Sequence, residues 1–175
     1  MKIETLHIFP QDENAHLITY IRDNPPELAN KPRRAILICP GGGYQWTSDR
    51  ENEPIAIQFL ARGYNVFVLK YSVAEMAKDL NPLREIELSI KHIRDNAEEY
   101  NINPQKVYVI GFSAGGHLAL ATGLMAENKP DAIEDTNLML DLKGEIQASP
   151  AVYKDMLVIG TCSKDNAYMY GIRIE

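Results

Sequence analysis

Apolar and polar residues change rhythm three times along this 175-residue chain. Lys2–Phe9 and His16–Arg22 read as strands, and Asp12-Glu-Asn14 supplies turn residues between them, which predicts an opening β-hairpin. Asn24-Pro-Pro-Glu follows as a loop. From residue 34 the apolar positions come in blocks. Arg34-Ala-Ile-Leu-Ile-Cys39, Tyr64-Asn-Val-Phe-Val-Leu69 and Lys106–Ile110 are apolar without alternation, the mark of strands covered on both faces. Helical spacing fills the gaps. Asn52–Arg62 puts Ile55, Phe59 and Leu60 on one side and stops at Gly63. Asn81-Pro-Leu opens a longer helix reaching Tyr100, with Asn81 as N-cap and Pro82 at the first helical position. Its stripe is Leu83, Ile86, Ile90, Ile93, Ala97 and Tyr100. Ser113–Glu127 is the third helix. Residues 128–144 are polar and acidic and read as a loop or short irregular helix. Beyond them Glu145–Ala148, Met156–Thr161 and Tyr168–Ile174 read as strands.

Strand and helix alternate three times between residues 34 and 127, which predicts an α/β fold with a doubly wound, mainly parallel sheet. The hairpin precedes this sheet and a β-rich tail follows it. Residues 1–143 form the expected core, and 144–175 a tail that belongs to the same domain or is foreign to it. At 45% apolar residues the chain can bury a real core. The formal charge of −6 argues against nucleic acid and anionic membrane as partners. No stretch has transmembrane length and no signal-peptide core is present at the start. Cys39 and Cys162 are expected to be free thiols in a reducing compartment, so the expected location is cytoplasmic. Neither cysteine has metal-ligand spacing, and no metal or cofactor is expected.

Two glycine-rich turns fall at strand ends, where ligands bind in such sheets. Val107-Tyr-Val-Ile-Gly-Phe-Ser-Ala-Gly-Gly-His-Leu-Ala-Leu120 takes a strand through G-x-S-x-G into a helix. This sharp turn presents a serine, Ser113, clear of the backbone as a nucleophile, with the helix N-terminus favouring negative charge beside it. Pro40-Gly-Gly-Gly-Tyr44 is suited to aim backbone N–H groups at an oxyanion. The expected oxyanion hole is the N–H of Ala114 with those of Gly42 and Gly43. A phosphate loop is the rival reading of residues 40–43, but the Lys-Ser/Thr of a P-loop and the G-x-G-x-x-G spacing are both absent. Tyr44, Trp46 and Tyr71 flank strand ends and are candidate substrate-binding residues.

The segments ILICPGGGYQW, FLARGYNVFVLKYSV, NPLREIELSIKHIRDNAEEYNINPQKV and YVIGFSAGGHLA resemble the acetyl-esterase and lipase-like branch of the α/β-hydrolases, carbohydrate-ester esterases similar to acetylxylan and feruloyl esterases. The resemblance covers about residues 30–127. It implies ester hydrolysis through a Ser113 acyl-enzyme, with small acyl esters or acylated sugars as substrates. It also implies an acid and then a histidine after the serine.

The histidines are His7, His16, His92 and His117, so none follows position 117. His117 sits in the elbow motif itself and reads as structural. Met156-Leu-Val-Ile-Gly-Thr-Cys-Ser-Lys-Asp165 resembles the segment that carries the family's acid, which makes Asp165 the candidate. Residues 144–175 also resemble one blade of a quinoprotein-type β-propeller. Both features lead to the expectation that the C-terminal third of the hydrolase is absent or replaced, and that the chain is catalytically impaired. A sheet cut short exposes an edge, which favours homo-oligomers.

Overall fold

A computed structural model describes residues 1–25, 27 and 31–127, together with the backbone of three strands between 151 and 173. Five strands form one sheet. They are β1 (Lys2–Leu6), β2 (His16–Ile21), β3 (Arg33–Cys39), β4 (Asn65–Lys70) and β5 (Ile102–Gly111), in the order β1-β2-β4-β3-β5. β3 pairs in parallel with both β4 and β5, whereas β1–β2 and β2–β4 are antiparallel. The nucleus β4-β3-β5 is thus the parallel sheet expected from the apolar blocks, and the hairpin extends it on one side.

The unbroken apolar character of β3 and β4 follows from helices on both faces. Alternation sends Leu37, Cys39, Phe67 and Leu69 into one core, with Leu83, Ile86 and Ile93 of helix α2 (Asn81–Asp95) and Leu118 of helix α3 (Ala114–Glu127). Ile36, Ile38, Val66 and Val68 enter the other, with Ala56 and Leu60 of helix α1 (Glu53–Ala61). This is the doubly wound arrangement.

Two helix boundaries differ from the sequence reading. Leu80, in the left-handed region at φ 60°, occupies the cap of α2, so Asn81 and Pro82 become its first two helical residues. Asn81 instead donates its side-chain amide to the Met76 carbonyl at 3.0 Å. At the other end α2 stops at Asp95, because Asn96 closes it by donating to the His92 carbonyl from both backbone and side chain. Ala97 and Tyr100 still pack on the core, now from a turn. β5 starts earlier than expected because buried Ile102 already pairs with Arg33 across an irregular register.

The tail strands β6 (Ala151–Tyr153), β7 (Met156–Cys162) and β8 (Ala167–Arg173) pair with one another as a separate antiparallel sheet. The expected strand Glu145–Ala148 lies outside the described residues. Among the described residues no helix is long and apolar enough to cross a membrane.

Ile86 is fully buried between α2 and the sheet. Ile86→Ala is expected to cost about 2–5 kcal/mol in urea unfolding, read as a lower midpoint at unchanged slope; a shift under about 0.5 kcal/mol would contradict this packing.

Candidate active site

The G-x-S-x-G turn is imposed by crowding. β5 ends at Gly111 and α3 begins at Ala114, leaving Phe112 and Ser113 to reverse the chain. Ser113 sits at φ 50°, a left-handed conformation that costs a non-glycine residue about 1–3 kcal/mol. A Cβ on Gly111 would lie 2.0 Å from the Gly115 carbonyl oxygen, and one on Gly115 would lie 2.0 Å from the Cys39 oxygen. The first turn of α3 is therefore pressed against the end of β3. Phe112 extends the pairing by donating its N–H to the Cys39 carbonyl at 3.0 Å.

The second glycine turn meets the first. A Cβ on Gly41 would stand 2.7 Å from the Phe112 oxygen and 3.1 Å from the Ser113 Cβ. The Gly41 N–H donates to Glu51 Oε2 at 2.7 Å, an anchor that nothing in the sequence pattern signals. Gly42 and Gly43 take φ 135° and 61°, values that favour glycine. Gln45 and Ser48 close the turn onto the carbonyls of Gly42 and Gly41 at 3.0 and 2.8 Å. No hydrogen bond among the described residues uses the N–H of Gly42 or Gly43. Ala114 is the first residue of α3, where an N–H has no intrahelical acceptor. Among the described residues these three N–H groups, on the two turns that meet at Gly41 and Ser113, have no hydrogen-bond partner.

The three candidate aromatic residues go to different places. Tyr71 is 2% exposed, and its hydroxyl donates to the Pro40 carbonyl at 2.6 Å, so it supports the start of the glycine turn from beneath. Burial raises its hydroxyl well above the usual tyrosine value. Trp46 is 63% exposed. Tyr44 lines a cavity of about 380 Å³ with Ala74, Ala77, Leu83, His117 and Leu118. Its hydroxyl, pushed up to about 12 chiefly by burial, keeps its proton at neutral pH and is hydrogen-bonded to His117 Nδ1 at 2.9 Å. Its carbonyl accepts the Ala74 N–H at 2.7 Å.

Among the described residues no histidine side chain is bonded to the Ser113 hydroxyl; the His117 backbone N–H donates to the Ser113 carbonyl at 3.0 Å. His117, one turn along α3, gives Nδ1 to Tyr44. His7 and His16 donate to the carbonyls of Glu13 and Asn14. β2 lies three strand spacings from β5, about 14 Å, which puts His16 out of reach of the serine. His92 meets the Tyr100 hydroxyl at 2.9 Å, beside the start of β5, the end opposite Ser113. Asp165 lies outside the described residues. Among the described residues no group of three His, Cys, Asp or Glu side chains could hold a metal ion.

A parallel nucleus wrapped on both faces and a serine held at the turn after β5 agree with what the chain matches. Residues 24–154 match BD-FAE, well over half of the chain, and the chain belongs to that family; its fold is that of the α/β-hydrolases. The chain is 36% identical over 115 residues to endo-1,4-beta-xylanase B of Butyrivibrio fibrisolvens, covering 64% of this chain and 18% of that protein. It is 33% identical over 116 residues to the acetylxylan esterase of Xylanibacter ruminicola, covering 66% and 23%. A solved structure, the α/β-hydrolase enzyme MGS-M1 from a Medee basin deep-sea metagenome library, superposes with TM-score 0.64 at 50% identity, covering 67% of this chain and 49% of that one. The chain thus spans less than a quarter of both curated relatives and about half of the solved structure.

Gly115→Ala would force a Cβ into the Cys39 carbonyl, so the elbow must open. The expected result is a loss of about 1–3 kcal/mol in urea unfolding, against no loss and a gain of about 0.5–1 kcal/mol for Gly123→Ala, a mid-helix glycine whose added Cβ meets nothing within 4 Å.

Proposed function

We propose that this chain presents Ser113 as the nucleophile of a carboxylic-ester hydrolase acting on small acyl or acetylated carbohydrate esters. The observation that carries the reading is the convergence of the two glycine turns, with Ser113 in a left-handed conformation where Gly41 meets Phe112 and Ser113. The likeness to an acetylxylan esterase supports the choice of substrate class. In the proposed step Ser113 Oγ forms a bond to the ester carbonyl carbon and gives up its proton. The carbonyl electron pair moves onto oxygen, where the N–H groups of Gly42, Gly43 and Ala114 stabilise it. Collapse expels the alcohol and leaves an acyl-serine, which water then cleaves. The Tyr44–His117 cavity receives an apolar part of the ester.

Both proton transfers call for a base, and among the described residues no histidine side chain is bonded to the Ser113 hydroxyl. That observation favours a second reading, in which the crevice binds acylated ligands with little turnover. The acid role of Asp165 belongs to the first reading and rests on resemblance alone. A cytoplasmic location is likewise a proposal, resting on the two cysteines, of which Cys39 is a buried free thiol.

The deciding experiment treats the chain and Ser113→Ala with p-nitrophenyl acetate and follows nitrophenolate release and intact mass. The expected result is a single acetyl adduct, absent from the variant, that outlasts the burst because no histidine activates water for its removal. Rapid steady turnover lost in Ser113→Ala would show that a base reaches the serine. Equal background release with no adduct would overturn the esterase reading. Ala77→Trp, which fills the Tyr44–His117 cavity, should slow acylation by p-nitrophenyl hexanoate about ten-fold more than by the acetate; equal effects would remove that cavity from the substrate site.

A further inference from the structure

Away from the crevice, three polar side chains from three stretches of chain meet in the interior. Asp12 comes from the β1–β2 turn, Ser72 from just beyond β4 and Glu85 from α2; they are 7%, 1% and 0% exposed. The Ser72 N–H donates to Glu85 Oε2 at 2.7 Å, and Gln11 Nε2 donates to Glu85 Oε1 at 3.2 Å. Ser72 Oγ lies 2.8 Å from Asp12 Oδ2 and also contacts Glu85 Oε1. Asp12 Oδ1 accepts from the N–H and the side-chain amide of Asn14 at 2.9 and 3.3 Å.

Proton counting decides the state of this cluster. A serine hydroxyl has one proton. Given to Asp12 Oδ2, it leaves Ser72 Oγ facing Glu85 Oε1, oxygen to oxygen. That contact holds only if Glu85 carries a proton and donates it. Both carboxyls have donors, Glu85 from Gln11 and the Ser72 N–H, but Asp12 holds two from Asn14 on one oxygen besides Ser72 on the other and suits the ionised form, whereas Glu85 is fully buried. No Lys or Arg among the described residues bonds either carboxyl; Gln11 and Asp12 face Glu85 from the hairpin turn, Ser72 from the β4–α2 connection, and Ser89 on α2 donates to its backbone carbonyl at 2.7 Å. Electrostatic directions agree. Burial raises the Glu85 carboxyl above its ordinary value, only partly offset by its hydrogen bonds. For Asp12 burial also pushes upward, but the hydrogen bonds from Asn14, Ser72 and Ala15 outweigh it and leave it lowered.

We propose that Glu85 is held as the neutral acid and is a positioning residue for the crevice, acting through Ser72 and its neighbour Tyr71 on the Pro40 carbonyl that starts the glycine turn. The proposal rests on the serine-esterase reading for its consequence in reactivity, but not for the proton. The proton chain runs Glu85 to Ser72 to Asp12. Loss of the Glu85 proton would place two carboxylates around one hydroxyl, and the connection carrying Tyr71 would move. Because the folded value of Glu85 is raised, its contribution to stability is complete below the ordinary glutamate value and is lost as pH rises through the folded value. Asp12 behaves oppositely, its contribution being lost as pH falls.

Infrared difference spectra of the whole chain and Glu85→Gln, across roughly pH 5 to 9, read the proton directly. The expected result is a protonated-carboxyl carbonyl band at neutral pH that is missing in Glu85→Gln; a Glu85 that titrates in the ordinary carboxylate range would overturn the proposal. Labelling of Ser113 by an alkyl fluorophosphonate, followed by mass, reads the positioning. Glu85→Gln keeps a donor to Ser72 Oγ and an acceptor for its N–H. The ratio of wild-type to Glu85→Gln labelling rates should therefore fall about ten-fold as Glu85 loses its proton, cancelling the intrinsic pH dependence of the serine. A constant ratio would overturn the positioning role. No labelling of Ser113 at any pH would overturn the esterase reading and, with it, that role, while the infrared band still decides the proton. Should Glu85→Gln fail to fold, the wild-type infrared titration alone decides the same point.

Discussion

The site depends on one backbone contact: the first turn of α3 against the end of β3. Gly115 has no side chain, so its Cα approaches the carbonyls of Cys39 and Pro40 closely enough that a Cβ would lie 2.0 and 2.5 Å from them. That approach brings the G-x-S-x-G turn against the glycine turn of residues 40–43. It also forces the reversal that Ser113 makes at φ 50°. A strain of about 1–3 kcal/mol persists only where the surroundings over-determine it. Here they consist of the parallel pairing of β3 with β5, extended by the Phe112 hydrogen bond, and the helix that must start two residues later.

Layers of buried polar contact support this arrangement. Glu51 holds Gly41, and Tyr71 holds Pro40. Ser72, next to Tyr71, is held by Glu85 and Asp12. Tyr44 ties the glycine turn to α3 through His117 and to the β4–α2 connection through Ala74. The carbonyls of Pro40 and Tyr44 and the N–H of Gly41 are all occupied, whereas the N–H groups of Gly42 and Gly43 are not. A turn held at the Pro40, Gly41, Gly42 and Tyr44 carbonyls and at the Gly41 N–H is fixed without the reorganisation that a mobile loop would require.

Much of this was legible in the sequence because backbone geometry dictates it. A strand covered on both faces has to be apolar throughout, so β3 and β4 announce themselves, and close backbone approach demands glycine, so both turns do as well. Helix ends were less legible. Leu80 took the cap that Asn81 was expected to hold because residues 79 and 80 both turn left-handed, which no side chain there signals. The roles of Glu51, Ser72 and Glu85 were invisible for a related reason. An acidic residue on an amphipathic helix reads as a solvated face until tertiary structure buries it, and Glu85 lies between positions of the apolar stripe. Tyr71 and Trp46 both adjoin the glycine turn, Tyr71 packed beneath it on the Pro40 carbonyl and Trp46 exposed, with its backbone N–H on the Gly42 carbonyl.

The central claim is that two glycine turns form one anion-binding site around Ser113. A high-resolution crystal structure of the chain phosphonylated at Ser113 tests it most directly. The account predicts a phosphonyl oxygen about 2.7–3.1 Å from the N–H groups of Ala114 and of Gly42 or Gly43. A phosphonyl group turned to solvent, with those N–H groups bonded to water, would contradict it.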